Sequence, residues 1–78
     1  MANLIGIVHI RHLGIGSKSE GDYACFTLPT GKEYILYREG VYHASDDYFT
    51  QFDDKKVVVE GIIEEHTHYV CVQSVTEE

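Results

Sequence analysis

Residues 55–75, KKVVVEGIIEEHTHYVCVQSV, decide how the rest of the chain folds. They read as two strands rich in β-branched residues, joined by a short polar turn over residues 64–68. Gly61 stands in the middle of the first strand. A glycine inside an otherwise strong strand marks a bulge or a sharp bend, as at the corner of a small barrel. Val57, Val59, Gly61 and Ile63 share one face of that strand, and Val70 and Val72 share a face of the next. The rest of the chain can be arranged to close onto this hairpin.

Just upstream, Ser45 has the character of a helix N-cap. Asp46 and Asp47 follow in the first turn, where the helix dipole favours acids. Phe49 and Phe52 are spaced by three and Tyr48 and Phe52 by four, which gives an apolar stripe on a helix of about two turns. That helix ends at Asp53 and Asp54. Further back, residues 23–28 and 32–38 form a hairpin around the turn Pro29-Thr30-Gly31. Alternation puts Ala24, Phe26, Leu28, Tyr34 and Leu36 on one face, and Cys25, Thr27, Glu33, Ile35 and Tyr37 on the other. Residues 14–22, GIGSKSEGD, are a flexible polar loop. Residues 3–13 are a strand whose two faces are both apolar at the start, a pattern that suits burial on both sides and then exit at a rim. No internal repeat, linker or low-complexity segment interrupts the chain, so residues 1–78 read as a single domain.

Size and charge remove several functions. Seventy-eight residues bury a modest core and leave little room to shape and line a catalytic pocket. The chain is 44% hydrophobic with one proline, which argues against disorder. The formal net charge is −7, and it is unevenly placed. Residues 1–39 are balanced, whereas residues 40–78 set two lysines against nine acids. Phosphate backbones are bound largely by Lys and Arg that displace counterions, so six basic residues among this much acid make a poor general nucleic-acid binder. Cys25 and Cys71 lie among apolar residues and read as reduced, half-buried core thiols. The N-terminal stretch lacks the marks of a signal peptide, and no apolar run approaches the roughly 20 residues of a membrane span. The expectation is a soluble, cytoplasmic protein.

The order of elements is three strands, a short helix and two strands. A five-stranded antiparallel sheet this small has costly open edges, and curling into a barrel plugged by the helix removes most of that cost. With Gly6 in the first strand, LPTGKEYIL between the second and third, the helix before the fourth, and VVVEGII within the fourth, the chain resembles the OB-fold (oligonucleotide/oligosaccharide-binding) superfamily. It looks most like the small uncharacterised bacterial OB-like proteins. The resemblance implies an all-β, five-stranded antiparallel Greek-key barrel with one short helix. It also implies a binding face on the outside of strands two and three, flanked by the loops at residues 14–22 and 64–68. The candidate ligand-binding residues are then Tyr23, Lys32, Ile35, Tyr37 and Arg38. A fold of this kind hosts many roles and does not name one.

Three classes of function compete for that face. Single-stranded nucleic acid wants aromatic platforms and a basic groove. Tyr37 and Tyr23 could stack, with Arg11, Lys18, Lys32 and Arg38 in the same half of the chain, but Glu64 and Glu65 would repel phosphate. Cross-strand packing is the plainer role for these tyrosines. Metal binding would start from His66 and His68, near Glu64 and Glu65, and would need a further ligand from strand one, where His9 and His12 lie. Solvated turn histidines are the plainer account. A protein partner, or a second copy of the chain, would use Ile35 and Tyr37 as an apolar patch, steered by the acidic second half. Residues 16–21 have phosphate-loop glycine spacing, yet Asp22 stands where lysine is needed and no helix follows. Nothing in the spacing sets Cys25 beside a histidine as a nucleophile. The sequence therefore points to a non-catalytic binding module without a cofactor. A protein partner or self-association comes first, and nucleic acid or oligosaccharide on the face of strands two and three second.

Overall fold

A computed structural model describes residues 2–16, 18, 20–41 and 47–78. Five strands carry most of it: β1 (Ala2–Leu13), β2 (Gly21–Thr27), β3 (Glu33–Tyr37), β4 (Lys55–Glu64) and β5 (Tyr69–Glu77). β1 pairs antiparallel with β2 over its second half and with β4 over its first, and its twelve residues let it serve both neighbours. The order β1-β2-β3-β5-β4 closes on itself.

The sheet is mixed rather than wholly antiparallel. β3 and β5 run parallel, with Leu36 opposite Val70. Closure demands this. Directions alternate through antiparallel pairs, and a closed ring with an odd number of strands cannot alternate all the way round. The β3–β5 seam is where the mismatch falls.

The expected two-turn helix is also corrected. Residues Tyr48–Phe52 form a 3-10 turn, and Asp47 before it makes no side-chain cap bond. The proposed N-cap, Ser45, lies outside the described residues. Phe49 and Phe52 still turn inward, as their spacing predicts, and both are buried. One turn is enough to deliver two aromatic rings, and Asp53 and Asp54 stop it by fastening onto β1.

Inside the closed sheet, Val8, Ala24, Phe26, Tyr34, Leu36, Val57, Val59, Val70 and Val72 meet the two phenylalanines. These are the inward positions that alternation assigns to β2, β3, β4 and β5. At Gly6 and Gly61 the opposite strand comes too close for a side chain. A Cβ on Gly6 would collide with the Thr27 carbonyl oxygen, and one on Gly61 with that of Cys71. At Gly61 the β4–β5 register also slips. The expected mid-strand irregularity is therefore a register shift beside Gly61, with the extra residue, Gln73, on the β5 side.

Burial on both faces at the start of β1 is not what forms. Val8 is fully buried, whereas Ile5 is 45% and Ile7 42% exposed on the outer side. Among the described residues no layer covers that side, because the closed sheet has one interior.

Candidate functional site

The five residues assigned to the outer face of β2 and β3 do not assemble into one basic, aromatic surface. Tyr23 is only 6% exposed and cannot offer its ring for stacking. Ile35 lies opposite Cys25, half-buried. Tyr37 donates its hydroxyl to the Glu64 carboxylate and tilts against Tyr69, with ring centroids 5.8 Å apart. The bond to Glu64 and partial desolvation push the phenol pKa well above its usual value. Lys32 is drawn toward the β4–β5 turn, its Nζ 3.6 Å from Glu65. Tyr34 and Glu65 beside it raise its pKa, so it stays charged. Arg38 lays its guanidinium 4.4 Å from the centre of the Tyr48 ring. Arg11 stands 3.7 Å from Glu33, which also accepts a 3.3 Å bond from the Thr27 hydroxyl. Each base on this side thus faces an acid or an aromatic ring of the same molecule. A shallow hollow of about 250 Å³ remains here, among Leu13, Cys25, Glu33, Ile35 and His68.

A second surface was not legible as a site. On the outside of β1 and β4, Ile5 lies opposite Val58, and Ile7 is two residues along on the same side. Beside Ile7 runs a groove of about 520 Å³, walled by Thr27, Leu28 and Pro29. The polar and charged groups that reach this groove are matched in pairs. Arg11 meets Glu33, Lys56 lies 3.5 Å from Glu78, and His9 lies 2.8 Å from Asp54. The surface is apolar with locally neutralised charge, inside a molecule whose net charge is −7.

The histidines fall into separate settings. His68 sits with φ of +59° in the β4–β5 turn, its ring 6.3 Å from that of Tyr34. Among the described residues, no third donor converges on His66 and His68. The one group whose ligand atoms all lie within 4.8 Å of one another is His9, Asp53 and Asp54. Each member has a local task. Asp53 accepts the Ile10 backbone N–H at 2.9 Å. Asp54 holds a left-handed φ of 62°, donates its N–H to the Val8 carbonyl at 2.7 Å and pairs with His9. Together they clip the end of the 3-10 turn to β1. Forty-four residues separate His9 from Asp53, so no spacing in the sequence could reveal the cluster. His12 is held differently: its two ring nitrogens face two carboxylates, Glu20 at 2.6 Å and Asp22 at 2.9 Å.

Cys25 and Cys71 are free and buried, though on the outer side of their strands rather than in the core. Burial raises the Cys25 thiol pKa, the opposite of what a reactive thiolate needs. None of the described helical segments is long and apolar enough to cross a membrane. No protein-family model, curated protein or solved structure matches this chain.

Proposed function

We propose that this chain is an OB-like Greek-key barrel that works as a non-catalytic protein-interaction module. Its contact surface is the outer face of β1 and β4. Five strands closed in the order β1-β2-β3-β5-β4, with a turn inserted between β3 and β4, support the fold assignment. One observation carries the functional reading. Ile5 and Ile7 are more than two-fifths exposed on one side of β1, and Ile7 lines an apolar groove whose polar groups are already paired. Contiguous exposed apolar surface of this kind marks partner sites.

The partner that fits is an apolar protein segment with basic flanks. The groove takes its apolar side chains, and the surrounding acid steers its charges. A second copy of this chain is a worse match, since both would carry −7. The test is calorimetric titration with a peptide of alternating leucine and lysine, against the wild type and Ile7→Ser. Binding weakened at least tenfold by Ile7→Ser supports the reading. Equal binding by the two proteins overturns it.

A second reading keeps the outer face of β2 and β3. The Tyr37–Tyr69 pair beside Glu64 suits stacking on a neutral oligosaccharide better than on a nucleic acid, because the nearby carboxylates bond to hydroxyls and repel phosphate.

A further inference from the structure

We propose that His12 is a proton-operated latch on the β1–β2 loop, closed while the imidazole is doubly protonated and Glu20 is ionised. The geometry carries the inference. Nδ1 lies 2.9 Å from Asp22 Oδ1, and Nε2 lies 2.6 Å from Glu20 Oε2. An ionised carboxylate only accepts hydrogen bonds, and a neutral imidazole has one N–H and one lone pair. Two carboxylates at these distances therefore call for two N–H groups, which only the imidazolium has.

The two arms differ in what they hold. Asp22 belongs to β2 and is paired with His12 in the β1–β2 ladder, so its position is set by backbone bonds. Glu20 precedes β2, and its other oxygen accepts the Gly16 backbone N–H at 3.0 Å. The chain His12–Glu20–Gly16 thus ties Gly16 and Glu20 to the end of β1. When the proton leaves, one nitrogen lone pair faces a carboxylate at close range, and the cation that separated Glu20 from Asp22 is gone. The Glu20 arm is the one free to swing out.

Glu20 and Asp22 are the charged groups acting on the ring from the loop and from β2. Neighbouring Arg11 is turned toward Glu33. The hydrogen bond to Glu20, then that to Asp22, raises the His12 pKa above its ordinary 6.5. The bond from His12, then that from Gly16, lowers the Glu20 pKa below its ordinary 4.5. A raised histidine stabilises the closed form below its unfolded pKa and loses that contribution as pH rises through the folded value. A lowered carboxylate stabilises it above its unfolded pKa and loses that contribution as pH falls through the folded value. The latch is therefore closed between the two folded values and opens at either side.

The experiment is an NMR pH titration that follows the His12 ring protons and the Gly16 amide. It uses the wild type, Glu20→Gln and His12→Gln, with the remaining amide spectrum reporting that each variant is folded. The expected result has three parts. The His12 midpoint lies above the ordinary histidine value, the Gly16 amide moves with the same midpoint, and Glu20→Gln lowers the His12 midpoint. In His12→Gln that Gly16 transition disappears. A His12 midpoint at or below the ordinary value, or a Gly16 amide that ignores it, overturns the latch.

Discussion

Phe49→Ala removes the ring that the 3-10 turn inserts between β1 and β4. Phe49 is 1% exposed, and its ring meets Tyr48 edge-on with centroids 5.1 Å apart. Phe→Ala at a buried site costs about 3–5 kcal/mol, as lost transfer energy plus the cavity left behind. Little can collapse into the gap, because Val8 and Val57 beside it are fixed in the β1 and β4 ladders. At about 0.05–0.15 kcal/mol per residue, a chain of this length has about 4–12 kcal/mol in all. The variant thus loses between a quarter of its stability and all of it. With an m-value of about 1.5 kcal/mol per molar urea, the midpoint falls by about 2–3 M. Melting falls by at least about 12 °C, at about 4 °C or more per kcal/mol in a domain this small. Urea denaturation followed by circular dichroism measures it, with Thr50→Ala on the exposed side of the same turn as control. A loss under about 1 kcal/mol for Phe49→Ala would show that the turn is not part of the core, and the reasoning would fail.

Three further outcomes are expected. Gly61→Ala sets a Cβ against the Cys71 carbonyl at the bulge and destabilises by about 1–3 kcal/mol in the same denaturation assay, whereas a neutral result would mean that β5 does not pass there. Asp54→Gly relieves a left-handed backbone costing about 1 kcal/mol and gives up an exposed pair with His9 worth a similar amount or less, so stability changes by under about 1 kcal/mol; a larger loss would show that the pair matters more than its exposure allows. Cys25 and Cys71 react slowly with an aromatic disulfide reagent in the native state and completely in urea, and rapid native labelling would contradict their burial.

Much of the fold could be read from alternation. Val57, Val59, Val70 and Val72 on the last two strands, and Ala24, Phe26, Tyr34 and Leu36 on the second and third, all face the interior as their period of two requires. Gly61, which broke a β-branched run, marked where the register shifts, although the extra residue, Gln73, lies opposite it in β5. Strand direction was another matter. The parallel β3–β5 seam follows from closure of an odd ring, a property of the whole sheet that no local pattern carries. Helical spacing at Tyr48, Phe49 and Phe52 could not separate one tight turn from two wider ones, since i to i+3 serves both.

Site residues were harder to read than the fold. Tyr37, Lys32 and Arg38 looked available because the sequence does not show that Glu64, Glu65 and Tyr48 reach them from distant segments. Ile5 and Ile7 were expected under cover because a run of isoleucine, glycine and valine reads as buried on both faces. Their exposure became visible only once the sheet closed with a single interior. The His12 contacts are local, spanning residues 12–22, yet a histidine at the end of a strand with two acids following it gives no sign in sequence that both ring nitrogens are engaged.

The central claim is that this molecule recognises apolar protein surface through β1 and β4 and leaves nucleic acid alone. Amide NMR titration of the labelled protein at low salt tests it most directly, with a short mixed single-stranded DNA in one series and the leucine–lysine peptide in another. The account predicts peptide shifts centred on Ile5, Ile7 and Val58, and none from DNA around Ile35 and Tyr37. Salt-sensitive DNA shifts confined to β2, β3 and their flanking loops would contradict it.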